Sequence, residues 1–314
     1  MKTKPKSFPV LLVAAILSIS GFSLALQQQS KTNQATVIIP SDNKQPSVET
    51  KDVSKLSRST ASNSASELWQ HSISENTRLS KELDWVFGGT HQAGWSLYSA
   101  LIANVVGANE ASFDQPEFAS GVAAFQKQNK LNTTSGIVDN DTWSRFVSYF
   151  QSRRIKDRIT SNQLITIPVE DCYDPERPLE LRQVDRATYD AYKRMVAAAE
   201  SDLSKDSKSL DSQFFKIISA YRSPEYQAEL HRRNPNATSA GLATNSPHRT
   251  GRAIDIYVGG DPVSTKDNNR AIQVATPAYK WLVKNAAKFG FQPYFYEPWH
   301  WEYNPQVSSQ VSQK

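Results

Sequence analysis

Two short stretches of the sequence place histidines close to carboxylates. In the stretch Ser246–Ile256, His248 lies seven positions before Asp255, which falls inside an apolar, strand-like run. In the stretch Glu-Pro-Trp-His, Glu297 lies three positions before His300. Hydrolytic zinc sites use three protein ligands drawn from His, Asp and Glu, and a nearby carboxylate takes a proton from the attacking water. The four side chains are therefore candidates for a metal site that cleaves a bond with water.

Each of these residues also has an ordinary structural interpretation. A lone histidine in a loop is commonly a surface residue, and Asp255 could pair with Arg222 or Arg252 instead of a metal. The stretch that begins at Glu297 could be only a turn before an aromatic edge strand. The metal interpretation depends on the motifs occurring together. Two of the five histidines lie in compact motifs with acids at hand, and the other three do not.

The predicted elements around the motifs explain how the candidates could meet. The run Ala253–Val258 alternates along the chain, which predicts a strand with Asp255 on one face. A glycine-containing turn before this strand would bring His248 onto that face. Pro298 breaks the regular backbone ahead of the final strand, so that the side chains on either side of it can project toward one point.

Helices and short strands alternate through the rest of the C-terminal half. The run Phe214–Tyr221 and the segment Trp299–Tyr303 predict strands. Helices are predicted to begin after Asp185, at Pro224 and at Pro277, where a capping residue or an N-terminal proline precedes an apolar face. This mixture predicts an α+β fold, in which a small, mainly antiparallel sheet is flanked by helices.

Composition narrows the possible partners. The 314 residues carry a net charge of +5 and suffice for about two domains. No cluster of basic residues is interleaved with aromatics, so the sequence predicts no nucleic-acid partner. The single cysteine, Cys172, excludes an intramolecular disulfide and a cysteine-based zinc cage.

The N-terminus predicts export. Three lysines precede the apolar run 9–26, whose length lies between that of a cleaved signal peptide and that of a membrane anchor. Residues 1–26 are therefore either a signal peptide or a membrane anchor, and both alternatives place the remaining chain outside the cytoplasm, in the periplasm or at the cell wall. The polar segments 27–65 and 307–314 are predicted to be a disordered linker and a disordered tail.

Residues 66–150 predict a small all-α domain, followed by a polar linker over residues 151–164. Apolar residues recur every three or four positions from Trp95 to Val105, which indicates a helix. A last helix is predicted to carry aromatic residues and to be capped by Asp141.

Part of this helical region resembles the peptidoglycan-binding three-helix module. That module often reads V-x-x-F-Q-x-x-x-x-L and then D-G-I-V-G-x-x-T-W-x-x-L. The matching positions are Val122, Phe125, Gln126, Leu131, Gly136, Ile137, Val138, Thr142, Trp143 and Phe146. Ser135 stands where the module has Asp, and Asp139 stands where it has the second Gly. The resemblance implies binding to peptidoglycan; a helical region that only spaces or packs is the alternative.

The C-terminal motifs resemble those of zinc D-alanyl-D-alanine carboxypeptidases, the VanX/VanY-like peptidases that share a fold with hedgehog signalling domains. Their signature reads S-x-H-x-x-G-x-A-x-D, followed later by E-x-W-H. The matching positions are Ser246, His248, Gly251, Ala253, Asp255, Glu297, Trp299 and His300. An upstream Y-R-S stretch is also present, at Tyr221–Ser223. The resemblance covers residues 165–306.

The resemblance implies a role for each residue. Zn²⁺ would be bound by His248, Asp255 and His300. Glu297 would act as general base and then as general acid toward the leaving amine. Arg222 would stabilise the oxyanion or orient the substrate, because a guanidinium is a fixed, always-charged fork of donors. Three further residues are implied to contact the substrate: Ser246, Gln227 and Tyr221.

The sequence therefore predicts an exported zinc-dependent peptidoglycan peptidase. The first interpretation is a D-alanyl-D-alanine carboxypeptidase, which removes the terminal D-Ala from stem peptides. An L,D-carboxypeptidase or a peptidoglycan endopeptidase would have the same site, and the motifs do not separate them. A non-catalytic, zinc-stabilised wall-binding protein is a further alternative, against which the presence of a base at Glu297 argues. The sequence makes no prediction of the oligomeric state.

Overall fold

A computed structural model describes most of the chain. The described residues are 53–108, 112–206 and 210–308. The predicted export segment, the predicted linker up to residue 52 and the predicted tail from residue 309 lie outside them. Among the helices within these ranges, none combines the length and the apolar character needed to cross a membrane.

Helices and strands alternate along the described residues. The helices are α1 (Val53–Glu82), α2 (Ser99–Val106), α3 (Pro116–Gln128), α4 (Asn140–Ser152), α5 (Arg186–Leu203), α6 (Pro224–Arg233), α7 (Asp267–Ala275), α8 (Pro277–Asn285) and α9 (Pro305–Ser308). The strands are β1 (Asp84–Phe87), β2 (Thr90–Ala93), β3 (Leu164–Thr166), β4 (Gln183–Asp185), β5 (Ile217–Ser219), β6 (Ala253–Ile256), β7 (Phe291–Pro293) and β8 (His300–Tyr303).

The described strands form three small antiparallel sheets, which confirms the predicted α+β class. The hairpin β1–β2 and the pair β3–β4 are two-stranded, and the third sheet has the order β5-β6-β8-β7. In that sheet β6 lies between β5 and β8, and Asp255 of β6 is directly opposite His300 of β8. The carboxylate and the imidazole therefore start from adjacent positions on neighbouring strands.

Side-chain caps fix the helices that surround this sheet. As predicted, Asp185 caps α5, and its carboxylate accepts a hydrogen bond from the Thr188 amide at 2.9 Å. Such caps stabilise a helix by about 1 kcal/mol. The cap of α4 differs from the prediction: Asp139, not Asp141, accepts the bond from the Thr142 amide at 2.9 Å. Asp141 lies in the first turn of α4 instead, where its negative charge interacts favourably with the helix dipole and stabilises the helix.

The N-terminal part is not all-helical. The hairpin β1–β2 separates α1 from α2, and its turn consists of Gly88 and Gly89, both with positive φ angles (56° and 82°). Two glycines between short runs of strand formers are a sequence signal for a two-residue hairpin. This signal is present in the stretch Asp84–Ala93, and the prediction of an all-α domain passes over it.

The first helix begins earlier than predicted. α1 starts at Val53, so residues 53–65 are helical where the sequence predicts a disordered linker. These thirteen residues contain no glycine or proline, the residues that most strongly oppose a helix. Further along α1, the buried Asn76 side chain donates to the Gly136 carbonyl at 2.9 Å and accepts from the Val138 amide at 2.8 Å. α1 is thereby joined to the loop before α4.

The regions predicted as separate domains share one hydrophobic core. Phe295, between β7 and β8, has its ring centroid 5.4 Å from that of Tyr98 and 5.9 Å from that of Phe150. Arg270 of α7 is buried at the same junction and donates hydrogen bonds of 2.7 Å to the Tyr98 hydroxyl and to the side-chain oxygen of Gln92. The N-terminal helices therefore pack directly on the elements that carry the C-terminal motifs.

Replacing Arg270 by alanine should lower the free energy of unfolding by about 2–6 kcal/mol, because it leaves the buried Tyr98 hydroxyl and Gln92 oxygen without their donor, at roughly 1–3 kcal/mol each. Urea denaturation followed by circular dichroism and tryptophan fluorescence should show a single transition in both proteins. Arg252→Ala is the control: it breaks a partly exposed ion pair with Asp157 (2.6 Å) and should cost at most about 1 kcal/mol. Two separate transitions, or equal effects of the two variants, would contradict the shared core.

Candidate metal centre

A short turn presents His248 to the sheet. The residue lies in the 3-10 turn Pro247–Thr250, which ends at Gly251 with a φ of 77°. A side chain at Gly251 would come within 2.7 Å of the Leu164 side chain. Glycine is required here both for the left-handed backbone and for the close approach. The turn predicted from the sequence is therefore present, and it brings His248 to the face of β6.

The structure brings the three predicted metal ligands together. The distance from His248 Nε2 to Asp255 Oδ1 is 3.2 Å, and that from His248 Nε2 to His300 Nδ1 is also 3.2 Å. His300 Nδ1 lies 3.0 Å from Asp255 Oδ1. At most 3% of any of these residues is exposed. Three atoms able to donate to a metal thus form a nearly equilateral triangle in the interior.

This triangle has the dimensions of a tetrahedral zinc site. Zinc bonds of 2.0–2.1 Å in tetrahedral geometry place the donor atoms about 3.3 Å from one another. The other ring nitrogen of His248, Nδ1, lies 2.6 Å from the Ala220 carbonyl and so carries the proton, which leaves a lone pair on Nε2. That lone pair faces the Asp255 carboxylate, which is also an acceptor. Two acceptors in contact in the interior require a cation or a proton between them.

In the absence of a cation, His300 supplies that proton. Burial lowers the pKa of His300, but hydrogen bonds with the Asp255 and Glu302 carboxylates outweigh this and raise it to about 9. Burial and the nearby Arg222 guanidinium lower the pKa of His248 to about 4, which keeps its ring neutral. The donor set therefore consists of one neutral imidazole, one carboxylate and one imidazole whose proton a metal ion would replace, and it fits zinc.

Arg222 holds the free oxygen of Asp255. Its Nη2 atom donates to Asp255 Oδ2 at 2.6 Å, and its Nε atom donates to the Ser219 hydroxyl at 3.0 Å. Burial opposes ionisation of Asp255, but the Arg222 guanidinium and the hydrogen bond from His300 hold its pKa well below the usual range. The two interpretations of Asp255 are thus compatible, because Oδ2 pairs with the arginine while Oδ1 faces the two histidines.

A second carboxylate, absent from the sequence-based predictions, lies behind His300. Glu302 is 1% exposed, and its Oε1 atom lies 3.3 Å from His300 Nε2. Burial opposes ionisation of Glu302, but His300 and Arg154 lower its pKa to about 2. Strand periodicity carries a signal for this contact, because residues 300 and 302 of one strand share a face. The partner Arg154 is 148 positions away and has no such signal.

Glu297 lies beside the three donor atoms, but its carboxylate is not hydrogen-bonded to them. Its Oε2 atom is 3.9 Å from His300 Nδ1, and no hydrogen bond from another described residue engages the carboxylate. The tight turn between β7 and β8 places it there, since the His300 amide donates to the Glu297 carbonyl at 3.0 Å. Burial raises the pKa of Glu297 to about 8, against the opposing effect of His300. This carboxylate is free to take up a proton next to the metal-type site.

A pocket of about 380 Å³ adjoins the centre through Arg222. The predicted substrate contacts Gln227 and Ser246 line it. The side-chain amide of Gln227 donates to the Ala243 carbonyl at 2.7 Å, whereas its buried Oε1 atom has no hydrogen-bond partner. Tyr221, the third predicted contact, lies outside this lining and is half-buried. The pocket therefore presents the Arg222 guanidinium, which also bonds Asp255 of the donor triangle.

Comparisons with known proteins gave one family match and a structural match. Residues 182–306 match the family model described as VanY: D-alanyl-D-alanine carboxypeptidase. One solved structure, described as "Structure of the LdcB LD-carboxypeptidase reveals the molecular basis of peptidoglycan recognition", is 22% identical; the alignment covers 51% of this chain and 77% of that chain, with a TM-score of 0.36. No curated protein matches the chain. The range of the family match includes both motifs.

The purified protein should bind about one Zn²⁺ per chain, and Asp255→Ala or His300→Ala should reduce this stoichiometry to near zero. Elemental analysis after dialysis against trace zinc measures the ratio. His231→Ala is the control, because His231 lines the adjoining pocket and is not part of the donor triangle. Equal zinc content in all four proteins would show that the triangle does not hold the metal.

Proposed function

Residues 182–306 belong to the VanY family of D-alanyl-D-alanine carboxypeptidases, and on that premise we propose that the protein is a zinc-dependent peptidoglycan peptidase. Its reaction is the removal of the terminal D-Ala from stem peptides. The observation that carries the proposal is the buried triangle of donor atoms with the free carboxylate of Glu297 beside it. A structural zinc site has no use for such a carboxylate, which argues against a purely wall-binding protein.

His248, Asp255 and His300 would hold the zinc ion. Two imidazole nitrogens and one carboxylate oxygen form a donor set that zinc commonly takes in hydrolases. When bound, the ion supplies Lewis-acid chemistry: it makes water more acidic and polarises the scissile carbonyl. The protein contributes the fixed orientation of the donors, because Ala220, Arg222 and Glu302 each bond the far side of one ligand.

Glu297 moves the proton in this mechanism. Its Oε2 atom, the one nearest to His300 Nδ1, would take a proton from the attacking water. The same carboxyl group would then give that proton to the amine of the departing D-Ala. Burial raises the pKa of this carboxyl above its usual range, which suits a group that accepts a proton and then returns it.

Arg222 and two pocket residues would orient the substrate. A guanidinium has five N–H donors, and Asp255 and Ser219 engage part of this fork. The remaining donors are available to the developing oxyanion or to a substrate carboxylate. Gln227 and Ser246 line the pocket and would border the bound stem. Contact between Tyr221 and the substrate stays a prediction.

The location follows from the substrate. Peptidoglycan lies outside the cytoplasm, so the proposed activity requires export, which agrees with the signal or anchor predicted over residues 1–26. We also propose that the helical region 66–150 binds peptidoglycan, on the motif resemblance described above. Membrane anchoring through residues 9–26 stays a prediction.

Mass spectrometry of a pentapeptide stem that ends in D-Ala-D-Ala tests the reaction. Wild-type protein loaded with zinc should release one D-Ala, and Glu297→Gln should lower kcat by roughly 10²–10⁴-fold at unchanged zinc content. Glu225→Gln, an exposed acid at the start of α6, is the control with full activity. Cleavage of a tetrapeptide or of cross-linked stems with the pentapeptide left intact would replace the D,D assignment by the L,D or endopeptidase alternative.

The variant Arg222→Lys should distinguish the effect of the positive charge at this position from the effect of the planar guanidinium. The lysine keeps a cation beside Asp255 but lacks the planar fork, so kcat/KM should fall by roughly 10²–10³-fold while zinc remains bound. Steady-state kinetics on the cleaved stem peptide, together with elemental analysis, measure both effects. Retention of full kcat/KM would mean that Arg222 only neutralises Asp255.

A further inference from the structure

We propose that Arg154, which lies between α4 and β3, is a positioning residue for the metal ligand His300 and acts on it through Glu302. The inference rests on the proposed zinc site. It assigns a role in that site to the N-terminal part of the chain, since Arg154 precedes the family match over residues 182–306. From the sequence, this residue belongs to a polar linker, 151–164.

The contacts of Glu302 form the basis of the proposal. Arg154 donates to its Oε1 atom through Nε at 2.7 Å, and its Nη2 atom lies 2.6 Å from the same oxygen. The amide of Ile155 donates to Oε2 at 2.7 Å. His300 Nε2 completes the set at 3.3 Å. Two consecutive residues of the N-terminal part thus engage both oxygens of a carboxylate that solvent does not reach.

Glu302 determines which nitrogen of His300 is available to a metal. An ionised carboxylate at Nε2 keeps a hydrogen on that atom, so the lone pair on Nδ1 points to Asp255 Oδ1 and His248 Nε2. Second-layer carboxylates of this kind fix the tautomer and the ring orientation of metal-binding histidines. The orientation of His300 therefore depends on an ionised and immobile Glu302.

Arg154 is the compensating charge for Glu302. A buried carboxylate is costly unless a cation and hydrogen bonds offset its lost hydration. The guanidinium is itself fixed, because it lies over the Tyr294 ring at 3.9 Å from the centroid. The Tyr294 ring in turn contacts the His300 ring edge-on, with a centroid separation of 5.7 Å. Arg154 thus supports His300 from two sides, by charge through Glu302 and by packing through Tyr294.

The neighbouring Arg153 provides a matched control. It precedes Arg154 directly and also crosses to the C-terminal part, where its Nε atom donates to the side-chain oxygen of Gln292 at 2.9 Å. Its guanidinium lies over the Tyr149 ring at 5.1 Å. Among the described residues it forms no hydrogen bond or ion pair with Glu302, so its replacement removes a comparable bridge between the two parts and leaves the polar contacts of Glu302 and His300 intact.

The test compares zinc affinity in Arg154→Ala, Arg154→Lys, Glu302→Gln, Arg153→Ala and wild type. Competition with a chromophoric chelator measures the affinity, and the visible spectrum of the Co²⁺-loaded proteins reports the ligand geometry. We expect Arg154→Ala and Glu302→Gln to bind zinc about 10–100-fold more weakly and to alter the Co²⁺ bands. Arg154→Lys should recover part of the affinity, and Arg153→Ala should match wild type.

Unchanged affinity and unchanged Co²⁺ bands in Arg154→Ala, as in Arg153→Ala, would overturn the proposal. Circular dichroism melting verifies that each variant is folded, and if Arg154→Ala is unfolded, Glu302→Gln and Arg154→Lys decide the question by the same two measurements. The proposed function fails in a different way: wild-type protein would bind zinc and cleave no stem peptide. The affinity comparison holds in that case also, because it does not use turnover.

Discussion

One buried negative charge, the carboxylate of Asp255, organises the centre of the molecule. It lies in the middle of the main sheet, where an ionised group is tolerated only if cations and donors surround it. Arg222 satisfies one oxygen, and the histidines from the turn and from the last strand face the other. The turn at Gly251, the order of the strands and the position of Arg222 all serve to bring these partners to one carboxylate. A metal ion at that point would complete the neutralisation.

The surroundings of His300 extend this arrangement into the N-terminal helices. Asp255 and Glu302 lie on the two sides of the imidazole, and each is paired with an arginine, Arg222 for the first and Arg154 for the second. The contacts that surround the imidazole therefore come from outside the sheet as well as from within it. The shared aromatic core keeps α4 against the sheet, and the residues that follow this helix reach the second carboxylate. Fold and site thus depend on the same contacts between the two parts.

Local signals in the sequence predicted much of this structure. Contacts between residues far apart in the sequence were not predicted. The cap at Asp185 and the strand that carries Asp255 depend on neighbouring residues, which a single sequence displays. The metal-type triangle could be predicted because each motif is compact and matches a family pattern. The contact of Glu302 with Arg154 joins residues 148 positions apart, and no periodicity relates them. The hairpin at Gly88 did have a signal, the two adjacent glycines of its turn, which the prediction of an all-α domain passed over.

The direct pairing of Asp255 with His300 constrains how this chain can vary. Successive side chains of a strand point to opposite faces, so a shift of β8 by one residue against β6 would turn a ligand away from the centre. An insertion or deletion of one residue inside either strand would therefore displace a ligand unless a β-bulge absorbed it. The connection from residue 257 to residue 290 is free of this restriction. A change of length in the exposed part of the loop between β6 and α7 would leave both the register and the metal-type centre in place.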